Sequence, residues 1–414
     1  MNIKKYVLTN GIWLYLLQGF NLLFPLITLP YLTRTLGAEN YGYFALAVNY
    51  IGYFQVLIDY GFNLTSSKKV IESSPKEINK IFTTTIITKV FFFVISSIII
   101  IIISLVKNSI FSPIFLCTIL ILVGNTFEQT WLFQGIKKMR ITSIINISYR
   151  ILLVLLIFIT IENSNDTLLY TFIYSLSYAL SGITSFLVAI KYLNIKLMNI
   201  SIKDIESSLR EGFSIFFTSF GSKVTTNFGV TMLGVFSTTK DVGTFVMIQK
   251  ISVVMVMMFL PFSQMMYPLS VEAFKKSWSK GISFVKNIIF IIGTLLFIAV
   301  FVISFFNETI VTLFYGVEFT SYGGLFIILM VWGSISIMNN LLGIQILVAN
   351  GDNQIYRKAF QFNFLFLIIS NIILSYLFSL YGVAYATLIS ELFLMFLLLR
   401  YIIKINKNIM NEER

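Results

Sequence analysis

Ile81-Phe-Thr-Thr-Thr-Ile-Ile-Thr-Lys-Val-Phe-Phe-Phe-Val-Ile-Ser-Ser-Ile-Ile-Ile-Ile-Ile-Ile-Ser-Leu-Val106 holds a single charge, Lys89, in 26 residues. A helix needs about 20 mainly apolar residues to cross a hydrocarbon layer roughly 30 Å thick, and this run exceeds that length. Working outward, comparable runs fall at roughly 11–33, 41–63, 114–134, 142–161, 167–190, 210–235, 242–270, 284–306, 322–349, 358–379 and 383–403. With 57% hydrophobic residues, 12% charged and a mean hydropathy of +0.87, the 414-residue chain does not have the composition of a soluble domain. The expected fold is an all-α polytopic membrane protein of about twelve transmembrane helices.

The positive charges orient this ladder. The termini and even-numbered connections hold 23 of the 30 Lys and Arg, among them Lys4, Lys5, Lys68, Lys69, Lys137, Lys138, Lys203, Lys275, Arg357 and Arg414. The odd connections hold three, Arg34, Lys107 and Lys240, and the other four lie inside spans. A missed or extra helix would scramble that separation. Both termini are therefore expected in the cytoplasm. The net charge of +12 reads as topology, not as nucleic-acid binding, because the cations are spread over many short loops. The first apolar run is too long for a signal-peptide core and lacks an A-x-A site, so it reads as a retained helix.

Several chemistries fall away. The chain has no histidine, hence no imidazole ligand or proton relay, and its single Cys117 permits no intrachain disulfide. No GxxxxGK[ST] motif occurs, and no metal site or cofactor is expected. Loops on the outer side stay under about 15 residues, too short for an external catalytic domain. The outer acids Glu162, Asp166, Glu308 and Glu318 are scattered, which argues against a membrane glycosyltransferase or polymerase.

The long connection at 191–209 divides the chain into six spans and six, giving expected lobes of 1–195 and 196–414. Gly37-Ala-Glu-Asn-Tyr-Gly-Tyr-Phe44 follows the first span and Thr238-Thr-Lys-Asp-Val-Gly-Thr-Phe245 the seventh; Gln134-Gly135 follows the fourth and Asn350-Gly351 the tenth. Either pair alone is ordinary helix–turn–helix chemistry. Two in the same order suggest a parallel repeat, with the lobes arranged about a central cavity.

Lys89, Arg150, Lys223 and Lys250 lie inside spans, as do Asp59, Glu128 and Glu391. A mid-bilayer charge costs about 2.5–3.5 kcal/mol on insertion scales, so such residues face a bundle interior or a wet cavity. Lys89, Arg150 and Asp59 are near enough to helix ends to snorkel instead. Lys223 is too central for that. Ser219, Lys223, Asn227 and Thr231 form a polar ridge at steps of four, and Ser336, Asn339, Asn340 and Gly343 a second stripe. Hydrogen bonding between helices is the plain alternative for both stripes. The excess of interior cations suits an anionic phosphate or diphosphate head group, with Lys223, Lys250, Arg150 and Lys89 as candidate ligands. Ser219, Asn227, Asn339 and Asn340 are candidate cavity lining. Glu128, Glu391 and Asp59 are candidates for ion pairing or for coupling to a proton or sodium gradient. Pro25, Pro30, Pro261 and Pro268 should bend their helices, as gates or as static kinks. The methionines of span eight fill core space or face lipid tails.

Leu29-Pro-Tyr-Leu-Thr-Arg-Thr-Leu-Gly-Ala-Glu-Asn-Tyr-Gly-Tyr-Phe44, Asp59-Tyr-Gly-Phe-Asn63 and Trp131-Leu-Phe-Gln-Gly-Ile-Lys-Lys-Met-Arg140 resemble motifs of the Wzx-type O-antigen flippases. A common acidic position after Gln134-Gly135 is occupied here by Lys137 or a neighbour. The resemblance implies the fold of the multidrug/oligosaccharidyl-lipid/polysaccharide exporter superfamily. It also implies transport of undecaprenyl-diphosphate-linked oligosaccharide from the inner to the outer leaflet of the bacterial cytoplasmic membrane by alternating access. Implied partners are that substrate, membrane lipids and other glycan-assembly membrane proteins, with no nucleic acid. The alternative is a multidrug or organic-cation antiporter of the same superfamily, whose cavity should be acid-biased; this one leans the other way.

Overall fold

The computed structural model describes residues 3–107 and 109–412, with the side chains of 3–18, 21, 22, 107, 193 and 410–412 outside that description. Lys4, Lys5, Lys107 and Arg414, used in the charge count, have side chains outside the described residues. Among the described residues every regular element is helical. Helix α1 covers Ile3–Asp59, α2 Phe62–Glu72, α3 Pro75–Lys107, α4 Phe111–Cys117, α5 Ile119–Phe127, α6 Thr130–Gly135, α7 Met139–Thr160 and α8 Thr167–Leu193. They are followed by α9 Ile202–Phe236, α10 Thr239–Lys276, α11 Trp278–Tyr315, α12 Gly323–Asn340, a π-helical stretch Leu341–Val348, and α13 Asn353–Glu412.

Two of these elements are long enough to hold two of the expected spans each. At about 1.5 Å per residue, the 57 residues of α1 and the 60 of α13 are far longer than one crossing requires. Helix α1 is broken at Gly37 (φ 73°, ψ 170°), a conformation that glycine adopts at little cost, between the first and second apolar runs. Helix α13 is broken at Ser379 (φ 54°, ψ −131°) between the last two. Ser379 donates to Asp241 Oδ2 at 3.2 Å, and Ser237 hydrogen-bonds both residues, so tertiary contacts hold this uncommon geometry. The remaining runs fall on α3, α4 to α6, α7, α8, α9, α10, α11, and α12 with its π stretch. Eight helical stretches among the described residues are long and apolar enough to cross a membrane, α13 being counted once; α1 and α9 are not among them.

The chain forms two compact units, Met1–Asn227 and Phe228–Arg414, with α9 running across the boundary. In the first unit, Trp131, Leu132 and Phe133 of α6 are fully buried against Val70, Phe82, Ile86 and Ala189. In the second, Leu342, Ile346 and Leu347 of the π stretch pack with Phe274, Val285, Ala359, Leu394 and Leu398. By contrast α11 leaves Phe290, Phe297, Phe301 and Phe305 exposed, as suits a helix facing lipid.

Connections meet like with like. Lys69–Glu211 (2.8 Å) and Lys80–Asp204 (2.7 Å) join the second connection to the sixth connection and the start of α9. Lys138 donates to Tyr192 Oη between the fourth and sixth, and in the second unit Trp278 Nε1 donates to Asn406 between the eighth connection and the C-terminal segment. At the other end, Tyr31 donates to the Ile161 carbonyl at 2.5 Å, beside the first and fifth connections. The Ser237–Asp241–Ser379 cluster links the seventh to the eleventh. These bonds join even with even and odd with odd, as a ladder of alternating crossings requires.

Candidate functional site

One face of the second span organises the first unit. Asn49, Gly52, Gln55 and Asp59 recur at helical spacing along α1, and each meets a polar partner on another helix. Asn227 Nδ2 donates to the Asn49 carbonyl at 3.2 Å. Lys223 lies across Gly52, where a β-carbon would meet its Cε and come within 2.8 Å of Nζ. Asn125 Nδ2 donates to the Gln55 carbonyl at 3.2 Å. Asp59 Oδ1 accepts from Lys89 Nζ at 3.0 Å. Aromatic contacts follow the same seam: Tyr60 stacks on Phe216 with centroids 4.7 Å apart, and Tyr53 meets Phe220 at 6.2 Å.

Snorkelling does not describe Lys89. Its side chain is 1% exposed and gives further density of bonding to the Asn125 carbonyl at 3.2 Å, so the ammonium is committed to Asp59 and the backbone. A buried cation is tolerated where it is paired and hydrogen-bonded. Asp59, 31% exposed, is the more open end of the pair.

The fourth span is interrupted close by. Helix α5 ends at Phe127, Glu128 turns extended (φ −67°, ψ 127°), and α6 starts at Thr130. The Gln129 amide, which the broken ladder would leave without an acceptor, donates to Ser185 Oγ at 3.0 Å. Glu128 Oε1 accepts from Thr130 Oγ1 at 2.8 Å and from Asn146 Nδ2 at 3.1 Å; Ser181 donates to Asn146 Oδ1 at 2.6 Å, fixing that amide. Helices α5 and α8 cross where Gly124 and Gly182 touch backbone to backbone. Beside this crossing is a cavity of about 100 Å³ lined by Gln55, Asn125, Glu128, Asn146, Tyr149, Arg150, Ser177 and Tyr178. Arg150 is half-buried there, its guanidinium 5.9 Å from the Tyr178 ring centroid.

The second unit repeats the theme with different groups. Asn339 Nδ2 donates to Glu391 Oε2 at 2.6 Å and to the Glu391 carbonyl at 2.9 Å. Asn340 Oδ1 accepts from Ser263 at 2.6 Å; Gln345 Nε2 donates to Ser263 Oγ (3.0 Å) and its carbonyl (2.8 Å), and Gln345 Oε1 accepts from Ser270 at 2.7 Å. Here the tenth span leaves α-helical geometry as a π stretch directly after Asn340. Lys250 is half-buried on α10.

The structure thus gathers Lys223, Asn227, Lys89 and Asp59 on one seam, with Glu128 and Arg150 in the adjoining cavity. Asn339, Asn340, Glu391 and Lys250 belong to the other unit, and Ser219 is exposed on α9. Neither Glu128 nor Glu391 forms an ion pair with a cation among the described residues. Sequence reading missed Asn49, Gly52, Gln55 and Asn125. For the first three the signal is the spacing of small and polar positions along span two; Asn125 stands on span four, where no such stripe marks it.

Two helical units, interrupted spans and polar seams inside apolar helices define a multi-pass membrane protein with a transporter fold. The chain belongs to the polysaccharide biosynthesis protein family, whose model matches residues 7–274. It is 28% identical over 292 residues to the "Putative O-antigen transporter" of Escherichia coli (strain K12), covering 69% of this chain and 70% of that one. A protein of the same description from Shigella dysenteriae is 28% identical over 262 residues, 63% of this chain and 66% of the relative. In fold the chain is similar to the lipid II flippase MurJ in an inward closed conformation, with TM-score 0.73 and 15% identity over 95% of this chain and 87% of that one. It is also similar to an inward-facing multidrug resistance MATE family transporter of the MOP superfamily, with TM-score 0.63 and 12% identity over 92% and 95% of the two chains.

Proposed function

We propose that this protein is a flippase that moves undecaprenyl-diphosphate-linked oligosaccharide, an O-antigen or capsule repeat unit, from the inner to the outer leaflet of the bacterial cytoplasmic membrane. The observation that carries the reading is Lys223. Its ammonium sits on α9, in the expected seventh span, half-buried, with no carboxylate within ion-pair distance among the described residues. An interior cation of that kind is stable only with water or an anion beside it. A diphosphate supplies the anion, and the O-antigen transporter relatives support the glycan cargo.

In this reading the diphosphate meets Lys223 while the polyprenyl tail stays in lipid, and Lys250 and Arg150 are further contacts. Lys89 contributes through Asp59 rather than by touching the head group. Alternating access opens the path first to the cytoplasm and then to the outside, with both termini and the basic connections cytoplasmic. Glu128 and Glu391, each held by a side-chain amide, are the groups for coupling to a proton or sodium gradient. Flux of a fluorescent lipid-linked oligosaccharide across reconstituted vesicles tests the reading. Lys223→Met should lose most of the flux and Lys223→Arg should keep it; wild-type flux in Lys223→Met at equal protein level would sink the role.

A further inference from the structure

The seam between α9 and the second half of α1 is pinned on both sides of Lys223. One turn toward the C-terminus of α9, Asn227 Nδ2 is bonded to the Asn49 carbonyl at 3.2 Å. One turn the other way, Phe220 meets Tyr53, and beyond it Phe216 stacks on Tyr60. Between these pins the Lys223 stem crosses the second span at the one residue on that stretch with no side chain. A β-carbon on Gly52 would overlap Cε, lie 2.8 Å from Nζ and 3.1 Å from Asn227 Nδ2. Real β-carbons do not approach so closely. Because the pins hold the helices together, a methyl at position 52 moves the lysine rather than opening the seam.

We propose that Gly52 is a positioning residue for Lys223: the notch it leaves in span two fixes where the ammonium stands. The energetic logic is that of pre-organisation. A lysine stem has four rotatable bonds and surrenders that rotamer freedom when it is held in one place. The notch imposes that ordering before any anion arrives, so an incoming diphosphate meets a placed charge. This inference rests on the head-group role of Lys223 for its transport consequence, while the geometric part stands without it.

The experiment is a double-mutant cycle with a transport-independent readout beside it. Flux of lipid-linked oligosaccharide is measured over a range of substrate for wild type, Gly52→Ala, Lys223→Met and the double variant. Gly52→Ala should lower flux about tenfold at low substrate, and in the Lys223→Met background it should cost less than about twofold more. In parallel, acylation of Lys223 by an amine-reactive ester in detergent is followed by mass spectrometry. Gly52→Ala should change that rate by at least about threefold, as a displaced side chain requires, while Gly221→Ala, whose β-carbon meets nothing within 4 Å, should leave it unchanged.

An unchanged acylation rate in Gly52→Ala overturns the proposal whatever transport does. Equal flux losses in both Lys223 backgrounds also overturn it, since they assign Gly52 to helix packing alone. If Gly52→Ala folds poorly, recovery of protein level in the double variant supports the clash with Lys223, and no recovery counts against it. Wild-type flux in Lys223→Met with an altered acylation rate would retire the head-group reading and leave the positioning geometry intact.

Discussion

Asp59 and Lys89 show how far a single residue can be read. Sequence placed both inside spans and left each able to snorkel, because depth along a helix was the only coordinate available. The partner of Lys89 is 30 positions away on another helix, and nothing in local spacing announces it. Its pairing makes a definite expectation. Asp59→Asn removes the counter-charge but leaves the 1% exposed ammonium in place, which costs about 3 kcal/mol at buried sites and somewhat less here because Asp59 is partly exposed. Replacing both, Asp59→Asn with Lys89→Met, should recover most of that loss, since an apolar stem suits the site. Thermal unfolding in detergent compares the three variants. Equal destabilisation by the single and the double change would show that the pair contributes nothing specific. Lys223 was more legible, because its depth and its ridge with Asn227 are sequence properties; the Gly52 notch that receives it was not, because a glycine gives no sign of what lies against it.

The elements were legible where apolar length decides and opaque where backbone geometry departs from it. The fourth and tenth apolar runs read as single helices, yet one is broken at Glu128 and the other becomes π-helical after Asn340. Hydropathy cannot see either event, because the flanking side chains are as apolar as in a continuous span. Broken spans at membrane depth persist only where the freed backbone groups find partners. Ser185 does this for the Gln129 amide, so Ser185→Ala should destabilise the first unit by about 1–2 kcal/mol in thermal melts, with no loss if water replaces the hydroxyl. The α5–α8 crossing makes a sharper comparison. A β-carbon on Gly182 would overlap the backbone of Gly124, which cannot rotate away as a side chain can. Gly182→Ala should therefore cost about 1–3 kcal/mol. Gly221→Ala, in open space on a helix, should be neutral or stabilising by up to about 1 kcal/mol. The same chemical change with opposite signs would separate close approach from helix propensity.

At the level of the whole molecule, the charge ladder and the contacts between connections make independent claims about sides. Lys80 and Ser201 hold the Asp204 carboxyl down to about 2, below its ordinary 3.8, at the base of α9. A lowered folded-state value means the contribution is present above about 3.8 and fades as pH falls toward 2. In Lys80→Met the folded-state value moves back toward the ordinary one and the contribution shrinks, so at about pH 3 the first-turn amides of α9 should exchange faster than in wild type at the same pH. Equal exchange would show that Lys80 does not govern the carboxyl. Sidedness itself is tested by labelling. The chain has one native cysteine, half-buried Cys117, so a Cys117→Ala background can carry one new thiol at a time. Lys203 belongs to the sixth connection and Lys240 to the seventh, and both are exposed. The excess of cations on the even connections predicts that a membrane-impermeant maleimide reaches Lys240→Cys while the cytoplasmic membrane is intact. It should reach Lys203→Cys only after that membrane is opened. The bonds joining the second and sixth connections require residues near Lys69 and Lys80 to label with the Lys203 position, never with Lys240. Labelling of both test positions from outside would break the twelve-crossing ladder at α9, the helix that carries Lys223 across the boundary of the two units.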